Sequence, residues 1–209
     1  MTRVVPDDDA GRALAVDVLR AGGIVAIPTD TVYGLAAAMD VPGAIDRLFV
    51  AKDRPTERAI AVLLADLHQV ADIGRLSPSG QALGAALWPG GLTLVIEQHR
   101  DRPLPSSLTG GRDTIGVRVP DHPSPRAIAA ILGPLPTTSA NVSGEPELLT
   151  AGAIEDRFGD RIELILDGGP ALGGRPSTVV DVSVDPPRLL REGAISGADV
   201  ESRLRDMGR

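Results

Sequence analysis

Helix-patterned segments alternate with short apolar runs along almost the whole chain, and this alternation restricts the fold to the α/β class. Asp9 to Ala21 carries apolar residues at helical spacing and stops at Gly22-Gly23, a fitting C-terminal cap. Ile24 to Ile27 reads as a buried strand closed by Pro28, and Pro42 to Ala51 as a helix with Ile45, Leu48 and Phe49 on one face. Ala59 to Leu64 is the next strand. Ser77-Pro78 and Ser124-Pro125 each match an N-cap followed by proline at the first helical position, opening helices towards Leu87 and Leu132. Further strands are expected at Leu92 to Glu97, Thr114 to Val119, Ile162 to Leu166, Thr178 to Val182 and Arg188 to Leu190. A last helix runs from Ser196 to Met207. The tight Asp185-Pro186-Pro187 turn makes the final two strands an antiparallel pair, so the sheet should be mixed. The Gly/Pro-rich stretches Arg102 to Arg112 and Gly168 to Pro176 are short enough to be loops of one domain spanning residues 1–209.

A chain of 209 residues buries a core without staples, and its lack of cysteine excludes a disulfide framework, a thiolate nucleophile and any Cys-ligated metal. No run of about 18 apolar residues exists, so a membrane span is not expected. The acidic start MTRVVPDDDAGRALAVDVLR is not a secretory signal, and a cytoplasmic location follows as the expectation. A net charge of −7 argues against a dedicated nucleic-acid binder, although local clusters decide what a cleft binds. Lys52 is the only lysine among 21 basic residues. An arginine-biased composition explains most of that imbalance, yet a lysine kept at one place points to a need for a compact ammonium there.

The common nucleotide and hydrolase signatures are missing: no Walker loop, no G-x-G-x-x-G after a strand, no H-E-x-x-H and no G-x-S-x-G. His68, His99 and His122 lack metal-ligand spacing, and Asp7 to Asp9 reads as a solvated helix start. What remains is a set of polar clusters at the ends of apolar runs, where α/β folds place function. Thr29-Asp30-Thr31 beside Tyr33, the only tyrosine, is either a hydrogen-bonded turn or a ligand loop. Lys52, Arg54 and Arg58 put three cations within seven residues at a helix end, suited to polyphosphate or simply to the helix dipole. Arg118 interrupts an apolar strand and needs an anionic partner, either a ligand carboxylate or an internal salt bridge. Thr137-Thr138-Ser139-Ala140-Asn141, read as following a strand, suits close backbone approach to a ligand. Ser177-Thr178 and Leu190-Arg191-Glu192-Gly193 form the last pair. Together these describe a pocket of cations and hydroxyls without a covalent nucleophile, fit for a nucleotide plus a small zwitterion.

Seven segments then carry a resemblance: PTDTVYGL (28–35), KDRP (52–55), WPGGLT (88–93), VRVP (117–120), TSANVSG (138–144), STVVD (177–181) and LLREG (189–193). In this order they resemble the YrdC family of threonylcarbamoyl-adenylate synthases. The resemblance implies a twisted, open, mixed sheet with flanking helices around a large basic cavity. It also implies a reaction in which L-threonine, bicarbonate and ATP, with Mg2+, give threonylcarbamoyl-AMP and pyrophosphate. The product serves threonylcarbamoyladenosine modification of tRNA, so tRNA or tRNA-modification proteins become expected partners. Thr31, Arg118 and Ser177 resemble the family's threonine-binding positions, with backbone near Thr137. Lys52, Arg54, Arg58, Thr114, Ser139, Asn141 and Arg191 fall where the family contacts ATP, and Lys52 with Arg54 would help pyrophosphate leave.

The sequence departs from the family pattern at Gly91, where proline is common, and at Leu63, where some relatives carry a histidine near threonine. The C-terminal domain of longer members is not expected here. Two other classes fit less well. Hydrogenase-maturation carbamoyltransferases contain a similar domain, but those chains carry Cys-rich zinc modules and this one has no cysteine. A non-catalytic RNA-binding module is disfavoured by the acidic balance and the 2% aromatic content.

Overall fold

The computed structural model describes residues 2–53, 59–142, 144–171 and 174–206. Arg54 and Arg58 therefore lie outside the described residues. The strands are β1 (Arg3–Pro6), β2 (Val25–Ile27), β3 (Gly34–Ala36), β4 (Ala61–Leu63), β5 (Gly74–Arg75) and β6 (Leu92–Gln98). They continue with β7 (Thr114–Arg118), β8 (Leu135–Ser139), β9 (Leu164–Asp167), β10 (Thr178–Asp181) and β11 (Arg188–Arg191). The helices are α1 (Asp9–Arg20), α2 (Ala44–Ala51), α3 (Val70–Ile73) and α4 (Pro78–Leu87), then α5 (Ser106–Thr109), α6 (Pro123–Leu132), α7 (Ala151–Phe158) and α8 (Gly197–Asp206). No helix among the described residues is long and apolar enough to cross a membrane.

One sheet runs in the order β1-β9-β2-β3-β8-β4-β7-β6-β10-β11, with β5 paired to β6. It is mixed, as expected: β4 is parallel to β7 and β10 to β6, whereas β6 is antiparallel to β7 and β10 to β11. Period-two alternation on β2 sends Val25 and Ile27 to one face and Ile24 and Ala26 to the other. On the first face Ala15, Val16 and Leu19 of α1 and Ile128 and Ala129 of α6 cover Val25, Leu135 and Leu164. On the second, Leu48 and Phe49 of α2, Phe158 of α7 and Leu83 of α4 pack with Leu35, Leu94 and Val180. Burying each Val, Leu, Ile or Phe among these contributes on the order of 1.5–3 kcal/mol.

The helix starts refine the sequence reading. Helix α2 begins at Ala44, because Gly43 caps it from a left-handed φ of 77° and leaves Pro42 outside. Helix α6 begins at Pro123, with His122 rather than Ser124 as its cap: the His122 Nδ1 accepts from the Ser124 amide at 3.3 Å. Ser124 is instead fully buried and donates its hydroxyl to the Asp7 carboxylate. Asp7 also accepts from Arg12 Nε at 2.9 Å, so the Asp7 to Asp9 run is not a uniformly solvated start. Asp8 caps α1 by accepting from the Gly11 amide at 2.8 Å, and Asp9, whose side chain is fully exposed, pairs with Arg12 Nη1 at 3.3 Å.

Candidate active site

The face that α1 and α6 cover at one end is left uncovered over the middle strands, and there it forms the floor of a cleft of about 340 Å³. Its floor residues follow the pleat: Ala61 and Leu63 on β4, Thr93 and Val95 on β6, Gly116 and Arg118 on β7. Thr137 and Ser139 of β8, and Ser177 and Val179 at β10, complete it at the same period. Strand register sets these side by side, with Leu63 opposite Arg118, Val95 opposite Gly116 and Ala61 opposite Thr137. The Thr-Thr-Ser segment is thus the strand β8 itself rather than a loop after a strand. Thr137 and Ser139 stand on its cleft side and the Thr138 hydroxyl is taken by Lys52, which is why it lacks an apolar pattern.

Arg118, only 5% exposed, ends β7 and enters this floor. Its Nη2 donates to Asp30 Oδ1 at 2.6 Å, its Nη1 to Thr31 Oγ1 at 2.8 Å and its Nε to the Gly90 carbonyl at 2.9 Å. Of the two partners open to it from the sequence, the chain itself supplies the salt bridge, through Asp30. Among the described residues three of its five N–H donors are used, and one on each Nη remains. Burial pulls the Arg118 guanidinium below its ordinary pKa, and the neighbouring Asp30 carboxylate pulls it back up. The Thr29-Asp30-Thr31 loop is fixed by Thr29, whose hydroxyl donates to the Val32 carbonyl at 2.6 Å and accepts from the Thr31 amide at 3.1 Å. A hydrogen-bonded turn and a cleft wall are therefore the same segment. Tyr33, also lining the cleft, donates to the Gly169 carbonyl at 2.7 Å and accepts from the Gly168 amide at 3.0 Å; burial raises its pKa.

Ser177 shares a hydrogen bond with Thr93 at 2.8 Å, which ties β10 to β6 on the floor. Arg191 of β11 donates to the Ser177 carbonyl through Nε at 3.2 Å and Nη2 at 2.8 Å. Its Nη1 donors have no partner among the described residues. The close approach of β11 to Ser177 requires Gly193: a Cβ there would lie 2.2 Å from the Pro176 carbonyl oxygen. Gly193→Ala is expected to cost about 1–3 kcal/mol and to lower the melting temperature by roughly 3–10 °C. A calorimetric shift under about 2 °C would show that this strand pair separates freely. Gly91 is similarly crowded, since a Cβ would meet the Ala194 Cβ at 2.7 Å, so its departure from the motif has a packing context.

Lys52 caps the end of α2, is 1% exposed and does not line the cleft. Its ammonium donates to Thr138 Oγ1 at 3.1 Å, the Ser139 carbonyl at 2.5 Å and Asn141 Oδ1 at 3.2 Å. Asn141 is locked further, accepting from the Ser139 hydroxyl at 2.6 Å and donating to the Glu145 carbonyl at 2.6 Å. The structure thus joins Lys52, Ser139 and Asn141 into one cluster behind the cleft wall, with Ser139 alone lining the cleft. Thr137 lines the cleft and turns its hydroxyl to the Leu135 carbonyl at 3.0 Å. Thr114 starts β7 opposite Glu97 and is not a lining residue. Leu63, at the position where some relatives carry histidine, is an apolar part of the floor.

Sequence reasoning missed Arg112 and Glu147, both lining residues. Each sits in an irregular segment where no periodicity marks which way a side chain faces. Among the described residues no group of three His, Cys, Asp or Glu side chains could hold a metal ion.

Fold and site define an α/β ligand-binding domain with an ion-paired Arg118, and an Arg112 and Arg191 without an ion-pair partner among the described residues, at a cleft on one face of a mixed sheet. The Sua5/YciO/YrdC family model, described as "Telomere recombination", matches residues 17–193. The chain belongs to this family. A protein of Pyrococcus abyssi named threonylcarbamoyl-AMP synthase is 36% identical over 190 residues, which are 90% of this chain and 55% of that protein. One of the same name from Vibrio vulnificus is 36% identical over 85% of this chain and 96% of its own length. The crystal structure of P. abyssi Sua5 complexed with L-threonine superposes with a TM-score of 0.89 at 33% identity, covering 98% of this chain and 60% of that one. The chain thus spans less than two thirds of the P. abyssi protein.

Proposed function

We propose that this chain makes threonylcarbamoyl-AMP and pyrophosphate from L-threonine, bicarbonate and ATP. The observation that carries the reading is one floor holding Arg118 with the hydroxyls of Thr31 and Ser177, and Arg191 hydrogen-bonded to Ser177 itself. An amino-acid carboxylate fits the two remaining donors of Arg118. A phosphate fits the open Nη1 end of Arg191, so the two substrates meet at Ser177. The threonine complex of P. abyssi Sua5 and the names of the relatives support the choice of amino acid.

Chemically, the threonine ammonium gives up one proton, which bicarbonate takes up as it loses water to become CO2. The amine adds to that CO2 and sheds a second proton, and a carbamate oxygen then attacks the α-phosphorus of ATP as pyrophosphate leaves. Two anions must meet, so positioning and charge neutralisation dominate the barrier. Thr31, Arg118, Ser177 and the Thr137 backbone hold threonine. The resemblance assigns Arg54, Arg58, Thr114, Ser139, Asn141 and Arg191 to the nucleotide. Of these, Ser139 and Arg191 line the cleft, while Asn141 stands with Lys52 behind Ser139, from where the ammonium supplies its charge. Thr114 lies off the lining, and Arg54 and Arg58 lie outside the described residues. Mg2+ would enter with the triphosphate and take its ligands from phosphate and water, since the described side chains offer it no cage. The adenylate would pass to tRNA-modification proteins in the cytoplasm.

The test is pyrophosphate release from ATP with threonine and bicarbonate each omitted in turn, with mass detection of the adenylate. Release that requires both supports the reading. Release indifferent to threonine, or tight RNA binding without release, rejects it.

A further inference from the structure

The arginines of the cleft differ in one respect. Arg118 is compensated by a carboxylate at 2.6 Å, while among the described residues Arg191 hydrogen-bonds only to neutral oxygens of Ser177. Arg112 has no side-chain partner among the described residues and is exposed at the cleft. Asp30 itself does not line the cleft; it stands behind Arg118, with a side chain 16% exposed. A buried guanidinium without such a partner would attract any small anion, and ATP brings several negative charges into the same cavity.

We infer that Asp30 is a specificity determinant: by cancelling the charge of Arg118 it keeps phosphate groups out of the amino-acid end of the cleft and leaves that end selective for a zwitterion. The naming of an amino-acid end rests on the proposed function. A zwitterion has no net charge and meets a neutral ion pair, so its carboxylate gains the two free N–H donors while Asp30 exerts little net repulsion on the whole molecule. A phosphate meets the same donors but feels the carboxylate behind them. At a surface-like dielectric, that repulsion lowers affinity for an anion by roughly 10- to 100-fold. The triphosphate is thereby directed to Arg191 and Arg112, which have no ion-pair partner among the described residues.

The experiment uses the full chain and Asp30→Asn, which keeps an oxygen acceptor for Arg118 Nη2 and removes only the charge. Inorganic phosphate is titrated calorimetrically at low ionic strength, and its inhibition pattern is measured against threonine and against ATP. In the wild type phosphate should compete with ATP and not with threonine. Asp30→Asn should bind phosphate roughly 10-fold tighter or more and should acquire competition with threonine. That gain should vanish in Asp30→Asn/Arg118→Gln. Unchanged phosphate affinity in Asp30→Asn overturns the inference. If Asp30→Asn does not fold, the wild-type pattern decides, because phosphate competing with threonine as strongly as with ATP also overturns it. Failure of the proposed function would appear instead as no threonine-dependent turnover, with the phosphate titrations still readable.

Discussion

Arg118→Gln is expected to lose both stability and threonine-dependent turnover. The substitution removes the Nη2 bond to Asp30 and the Nη1 bond to Thr31, and it leaves the Asp30 carboxylate without its cation. Breaking a buried pair from one side costs about 3–5 kcal/mol, because the remaining charge has no compensation. In a domain of this size that corresponds to a fall of roughly 6–20 °C in melting temperature. The substrate carboxylate loses the same guanidinium, a further loss of about 2–5 kcal/mol and hence roughly 30- to 5,000-fold in kcat/KM for threonine. Thermal unfolding and the threonine dependence of pyrophosphate release read the two effects separately. A variant that keeps its threonine KM within about threefold would remove Arg118 from the site.

Lys52→Met should be comparably severe, by a different route. Methionine fills most of the volume but leaves Thr138 Oγ1, the Ser139 carbonyl and Asn141 Oδ1 each short of a donor. Losing a charged donor from buried acceptors costs about 2–4 kcal/mol, or roughly 4–15 °C, and loosens the wall that presents Ser139 to the cleft. Turnover should fall by about 100-fold or more, as expected for a lost preorganised electrostatic group. Lys52→Arg separates charge from shape. Its planar fork does not reproduce a point ammonium reaching three acceptors that converge on it, so it should fail nearly as badly as methionine. Near-wild-type turnover in Lys52→Arg would reduce the lone lysine to a compositional accident.

Much of the sheet was legible because its strands are apolar on at least one face. The runs around Val25, Val62, Leu94, Val117 and Val180 all became strands. The segments that escaped notice have physical reasons. Strand β3 is three residues inside a polar motif, too short for a period to register. Strand β1 is mostly exposed at the sheet edge, so nothing apolar distinguishes Arg3–Pro6 from a tail. Within Asp7-Asp8-Asp9 only Asp7 is buried among partners, and Ser124, one of them, is 117 residues away. At the site, Arg118 was visible because a charge within an apolar strand demands a partner. Its partner was not visible, since Asp30 reaches it across 88 positions of sequence. Lys52 was found for its rarity, while its place behind the wall depended on the turn at Asn141. Arg54 and Arg58, predicted alongside it, lie outside the described residues.

The pleated floor has a consequence for how binding and folding are linked. Its residues, polar and apolar, come from β8, β4, β7, β6 and β10, neighbours in space that are scattered from residue 61 to residue 179 in sequence. A slip of one position in any of these strands would turn its floor residues into the core and its core residues outward. The floor therefore exists only once all of those distant pairings are closed in register, and it has no partially folded counterpart that could hold the same ligand. Occupancy of the cleft must then draw on the global unfolding equilibrium, so that substrate concentration protects the central strands together and not a single loop.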